Sequence, residues 1–295
     1  MSNNITIGMV QQSCGNNVLD NVSASIKGIA ELAKQGANVI VLQELHRSLY
    51  FCQTENTQNF SLAETIPGPT TDALGEIAKQ HSVIVVASLF EHRAKGIYHN
   101  TAVVIESTGD LAGIYRKMHI PDDPGYYEKY YFAPGDLGFK PVETSVGKIG
   151  VLVCWDQWYP EAARLSALAG ADFFVIPTAI GWAPEDSQQE QQRQRDAWIT
   201  IQRAHAIANG IPIVVCNRTG LEPDPSGQTS GINFWGSSFI AGPQGEILVQ
   251  CSTDITETAA VKIDLDRNEQ IRQLWPYFRD RRIDAYFDIT KRYSD

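Results

Sequence analysis

The chain has 295 residues, 43% hydrophobic and 20% charged, a mix that belongs to an ordered globular protein and excludes a disordered one. With 24 basic against 34 acidic residues it carries a formal charge of −10, which makes nucleic-acid phosphates or an anionic membrane poor partners. Its five cysteines, Cys14, Cys52, Cys154, Cys216 and Cys251, are odd in number and widely spaced, so neither a disulfide framework nor a structural zinc site is expected.

The first residues lack the basic stretch and apolar run of a signal peptide, and no apolar run approaches the ~18 residues of a membrane span. The expectation is a cytoplasmic protein with reduced thiols. In chain order, residues 5–10 read as a strand. Residues 18–34 place Val18, Val22, Ile26, Ile29 and Ala33 at a helical period, with Gly36 at the expected stop. Residues 37–42 form a buried strand that runs into Gln43 and Glu44. A helix over 70–80, capped by Thr70 or Thr71, precedes a strand over 83–89. Residues 99–106 and 111–116 flank a turn and predict a hairpin; 237–241 and 246–250 predict a second. Strands over 149–153, 173–176 and 213–215 are separated by helices over about 159–169 and 188–208. Both halves thus read strand, helix, strand, helix, strand, hairpin, a candidate internal repeat.

Roughly 150 residues per domain would predict about two domains. No linker or low-complexity segment divides the chain, however, and a single domain over 1–295 is the expectation. The longest irregular region, 120–141, is rich in Tyr, Pro and Gly, and a loop of that length is more often functional than idle. The stretch 275–282 is aromatic and basic. It reads as part of a C-terminal extension, about 265–295, that docks on a neighbouring subunit.

Three polar residues follow apolar strands: Glu44, Lys117 and Cys154. Sites in α/β sheets are built at the carboxyl ends of strands, although such a residue also marks where a strand reaches solvent. Together the three suit nucleophilic catalysis. A thiol is a strong nucleophile but mostly protonated at neutral pH, a carboxylate can take its proton, and an ammonium can stabilise the oxyanion of a tetrahedral intermediate. The backbone N–H of Trp155 is a second oxyanion donor if Cys154 sits in a tight turn before a helix starting near Pro160.

The stretches 39–44, 115–121 and 150–161 carry a resemblance to the nitrilase superfamily of carbon–nitrogen hydrolases, which runs from about residue 5 to 293. The resemblance implies an αββα sandwich, two β-sheets flanked by helices, that pairs into a homodimer or higher homo-oligomer. It implies a Glu44–Lys117–Cys154 triad, and it assigns Glu128 to holding the lysine and helping position substrate. Segments 121–136, 154–164, 177–181 and 278–282 are similar to the N-carbamoylputrescine-hydrolysing branch. The implied reaction yields an amine, ammonia and carbon dioxide through a covalent cysteine intermediate, with no cofactor or metal. The implied partner is a small carbamoyl amine, not nucleic acid or membrane.

The far end of that substrate is an ammonium, so an acid should meet it. Asp122, Asp123, Glu185 and Asp186 are the candidates, and the sequence does not choose among them. Tyr50, Tyr126 and Trp182 are aromatic faces that could line the apolar stem. Alternatives stay open. Another N-carbamoyl amine or amino acid, or an ω-amide, would suit the same triad. A Cys–His hydrolase using His46 or His119 is the rival chemistry, and a non-catalytic binding protein of the same fold is the rival class.

Overall fold

The computed structural model describes residues 4–294. In chain order the strands and helices are β1 (Asn4–Gln11), α1 (Val18–Lys34), β2 (Val39–Leu42), α2 (Pro69–His81), β3 (Ile84–Ala94), β4 (Ile97–Ile105), β5 (Leu111–Arg116), β6 (Val142–Thr144), β7 (Gly147–Val151) and α3 (Pro160–Leu168). There follow β8 (Phe173–Pro177), β9 (Gly181–Trp182), α4 (Gln188–Asn209), β10 (Ile213–Cys216), β11 (Thr219–Glu222), β12 (Ile232–Trp235), β13 (Phe239–Ala241), β14 (Ile247–Gln250), β15 (Glu257–Asp264) and α5 (Asp266–Leu274).

Alternation along the strands builds the layers, because successive side chains leave opposite faces. Val39 and Val41 of β2 join Ile7, Met9, Ile84 and Val86 on one face. Ile40 and Leu42 leave the other face and meet Ile29 and Leu32 of α1 and Leu74 and Ala78 of α2. The inner face is completed by Ile149, Val151, Phe173, Val175, Ile213 and Val215 of a second sheet. Helices α3 and α4 cover that sheet's outer side against β7 and β10. The result is the expected αββα sandwich.

The first sheet has the order β15-β1-β2-β3-β4-β5 and the second β14-β13-β10-β8-β7-β6. Strands β1, β2 and β3 are parallel and are followed by the β4–β5 hairpin. Strands β7, β8 and β10 are parallel and are followed by β13–β14. The repeat anticipated from the two halves is therefore present in the connectivity. A small third sheet, β11-β12-β9, stands beside them.

Three differences from the sequence reading have physical causes. Strand β15 pairs with all eight residues of β1, yet its side chains are half-buried and mixed in polarity, so it carries no apolar run. Strand β3 continues past residue 89 to Ala94, because its outer end pairs with β4 across the Lys95–Gly96 turn. Strands β6, β9, β11 and β12 are two to four residues long and are held by their pairings rather than by composition. No helix among the described residues is long and apolar enough to cross a membrane.

Candidate active site

Glu44 lies two residues past β2 and is fully buried. Its N–H donates to the Thr178 carbonyl just past β8, which ties the two sheets together at this end. The next residue, Leu45, has a left-handed backbone, φ 48°. That bend is held from below by Arg218, whose guanidinium donates to the carbonyls of Glu44 (3.0 Å), Leu45 (2.9 Å) and Ser48 (2.9 Å). Arg218 is fully buried and pairs with Glu222 at 2.6 Å, while the other Glu222 oxygen accepts the Tyr50 N–H at 2.6 Å. A buried arginine is tolerated only when paired and hydrogen-bonded in this way.

Lys117 emerges where β5 ends. Its N–H donates to Asn100 O, and its carbonyl accepts from Gly135 N at 2.8 Å as the 118–136 loop returns. A Cβ on Gly135 would lie 2.0 Å from the Arg116 carbonyl, so only glycine permits that return. The Lys117 ammonium is fully buried between Glu44 Oε1 (2.8 Å) and Glu128 Oε2 (2.7 Å). Burial alone would lower its pKa, but the Glu128 and Glu44 carboxylates outweigh it and hold the lysine well above its ordinary value.

The two carboxylates are not equivalent. Glu128 Oε1 accepts from the Tyr50 hydroxyl at 2.7 Å and Oε2 from Lys117, so both its oxygens are held. Burial pushes its pKa up to about 7 against the pull of Lys117. Glu44 Oε1 accepts from Lys117 and from Asn100 Nδ2 (2.7 Å), while its buried Oε2 has no hydrogen-bond partner among the described residues. Glu44 thus keeps one oxygen free to take a proton.

Cys154 opens a 3₁₀ turn, Cys154–Trp158, directly after the second sheet, with φ at 45°. Side chains rarely adopt this conformation, which turns the thiol off the strand line. Asp156 accepts from Val153 N at 3.0 Å and stabilises the turn. The thiol donates to the Ala179 carbonyl at 3.6 Å. That segment is fixed by Asn217, which exchanges hydrogen bonds with both backbone groups of Ile180. Burial first, and the nearby Glu44 carboxylate second, raise the thiol's pKa well above its ordinary value, with Lys117 opposing. Burial and Glu44 therefore favour the protonated thiol in the resting site.

Above Cys154 lies a cavity of about 340 Å³, walled by Pro121, Asp123, Tyr126, Trp155, Trp158 and Trp235, with Gln194 and Ala197 of α4. Burial raises the Asp123 pKa, and its buried Oδ1 has no hydrogen-bond partner among the described residues. Asp123 alone of the four amine-anchor candidates lines this cavity. Asp122 is exposed beside Lys129, Glu185 is exposed, and Asp186 accepts from Gln194 at 3.2 Å outside it. Tyr50 is fully buried with its hydroxyl given to Glu128, and Trp182 donates to Gln191 O and packs on Trp235, so neither lines the cavity. His46 is buried against Ser88 O, and His119 is bound to Asp156. Among the described residues no group of three or more His, Cys, Asp or Glu side chains is placed to hold a metal ion.

Sequence reasoning missed Asn100, Asp156, Asn217 and the Arg218–Glu222 pair. Asn217 and Arg218 follow β10 as Glu44 follows β2, so the same strand-end signal marks them. Asn100 sits inside β4, where nothing local distinguishes it.

A family model for carbon-nitrogen hydrolases matches residues 6–273. An N-carbamoylputrescine amidase of Solanum lycopersicum is 41% identical over 284 residues, 96% of this chain and 93% of that one. A citrullinase of Francisella tularensis subsp. tularensis is 37% identical over 291 residues, 98% of this chain and 99% of its own. The crystal structure of a carbon-nitrogen hydrolase from Helicobacter pylori superposes with a TM-score of 0.96 at 50% identity, covering 99% of this chain and all of that one. This chain belongs to the carbon–nitrogen hydrolase family, of nitrilase-type fold, and is a hydrolase of carbon–nitrogen bonds other than peptide bonds.

Proposed function

We propose that this protein hydrolyses N-carbamoylputrescine to putrescine, ammonia and carbon dioxide, a polyamine-forming reaction in the cytoplasm. The observation that carries the choice of substrate is the charge of the cavity wall. It holds the Asp123 carboxylate with an unpartnered oxygen, and no Lys, Arg or His is among the residues that line it. A cationic amine is matched there, whereas a substrate carboxylate, as in a carbamoyl amino acid, is not. The identity to N-carbamoylputrescine amidases supports the same reading.

In the proposed mechanism Glu44 Oε2 takes the Cys154 proton as the sulfur attacks the carbamoyl carbon. That carbon is a poor electrophile because two nitrogens donate into it. Lys117 Nζ and the Trp155 N–H, in the first turn after the strand, stabilise the oxyanion. The proton on Glu44 passes to one of the two nitrogens, which leaves. Water, deprotonated by Glu44, then attacks the S-carbamoyl group, and Cys154 leaves and takes the proton back from Glu44. The carbamic acid released breaks down to carbon dioxide and the second nitrogen. Glu128 and Tyr50 hold Lys117 in place throughout, and Tyr126 and the tryptophans enclose the four-carbon stem.

The C-terminal extension completes the proposal as a docking segment on a second subunit. Its first part, α5, packs on its own chain through Ile271, Asn268 and Arg272, but Ile283, Phe287, Ile289 and Tyr293 are 63–82% exposed. The test of substrate compares N-carbamoylputrescine, L-citrulline and N-carbamoyl-β-alanine. A kcat/KM for the diamine derivative at least tenfold above both is expected; a tenfold preference for either carboxylate overturns the reading.

A further inference from the structure

Lys117 and Cys154 come from different sheets, so their spacing is set by whatever crosses between the two strand ends. We propose that Asp156 and His119 are positioning residues that hold the lysine strand and the cysteine turn in register. The proposal rests on the triad reading above.

Tyr115, Lys117 and His119 alternate along β5 and its continuation. Asp156 is fully buried two residues after Cys154, and it reaches both neighbours of the lysine. Its Oδ2 accepts from the Tyr115 hydroxyl at 2.7 Å and from Val153 N at 3.0 Å. Its Oδ1 accepts from His119 N at 3.0 Å and from His119 Nδ1 at 2.7 Å. One carboxylate therefore takes four donors, three from the lysine strand and one from the residue before the nucleophile. Charge-assisted bonds of this kind are strong and directional. Facing a carboxylate, His119 carries its proton on Nδ1, and its ring stacks on Tyr159 with centroids 3.8 Å apart and planes within 6°. Tyr159 follows the cysteine turn, so this stack is a second clasp between the same two segments. Phe139, 5.9 Å away, packs on the same ring. His119 is thereby committed to Asp156 and not to the Cys154 thiol.

Misplacing a catalytic group by about 1 Å can cost about a hundredfold in rate without changing ground-state binding. Asp156→Asn keeps the shape but turns one acceptor into a donor facing donors. Its kcat for N-carbamoylputrescine should fall about a hundredfold with KM within threefold of wild type. His119→Ala and Tyr115→Phe should each lower kcat several-fold, and neither should lower it further in the Asp156→Asn background, because they act through that carboxylate. His119→Asn, which keeps a donor where Nδ1 stood, should restore most of what His119→Ala loses.

A folded Asp156→Asn with kcat within threefold of wild type overturns the proposal, as do losses that multiply independently. Should Asp156→Asn fail to fold, the His119 variants decide: activity in His119→Ala equal to His119→Asn overturns it, and loss in Ala with recovery in Asn supports it. Cys154→Ala separates the two readings. Hydrolysis by Cys154→Ala sinks the triad itself, whereas an inactive Cys154→Ala beside wild-type-like Asp156 and His119 variants sinks only the positioning role.

Discussion

Replacing Asp123 with asparagine removes the charge proposed to meet the substrate ammonium while keeping the side chain's size. The carboxylate has one buried oxygen without a protein partner, and burial already works against its charged form. An incoming ammonium would satisfy that oxygen and favour the charged form. A hydrogen bond to a charged group contributes about 1.5–3 kcal/mol, or about tenfold to 150-fold in an equilibrium constant. Asp123 is half-buried, so solvent screening places the expectation at the lower end, about ten- to thirtyfold. The loss should appear in KM, with kcat within about threefold, because the ammonium is remote from the reacting carbon. Ammonia release should be measured for N-carbamoylputrescine and for butylurea, which has the same stem without the ammonium. Wild type should prefer the charged substrate by that factor, and Asp123→Asn should lose the preference. Equal KM increases for both substrates, or none for either, would refute the assignment of Asp123 as the anchor.

Glu44→Gln should lower kcat by about 10²–10⁴-fold, the usual worth of a general base, measured under saturating substrate; turnover within threefold of wild type would remove Glu44 from the proton path. His46 is buried, and burial lowers its pKa from 6.5 to about 4. The unfolded chain then protonates first on acidification, so this residue's contribution is intact above pH 6.5 and is lost as pH falls toward 4, by about 3 kcal/mol. Urea unfolding of wild type and His46→Gln at pH 7.5 and 4 should show that part of the acid sensitivity missing in the variant, and parallel losses would contradict it. Phe287→Asp combined with Ile289→Asp should shift sedimentation to a smaller species if the exposed tail docks on a second subunit; wild type and variant sedimenting alike as monomers would remove that role.

The α1, α2, α3 and α4 helices were readable because each buries one periodic face, and the central strands and both hairpins because they are short apolar runs or flank a turn signal; both kinds of signal are local. Glu44, Lys117 and Cys154 were readable for a related reason, since each is a polar residue where an apolar strand stops. Glu128 came from resemblance alone. In the structure it sits in a 3₁₀ turn within the connection between β5 and β6, and no local pattern marks it. Asp122 and Asp123 are adjacent acids in one loop, and sequence had no means to rank them. In the structure Asp122 is exposed beside Lys129, while Asp123 lines the cavity.

By itself the sequence offered candidate residues for the chemistry and placed three of them at the ends of apolar strands. Hydrophobic alternation and strand ends are properties of neighbouring residues. Only the tertiary structure decided how the hydrogen bonds are shared within the site. It places one ammonium between two carboxylates from separate segments, holds both oxygens of Glu128 and leaves Oε2 of Glu44 free. That asymmetry depends on Tyr50, Asn100 and Lys117, which are distant in the chain, and charge interactions in a low-dielectric interior are set by distance in space.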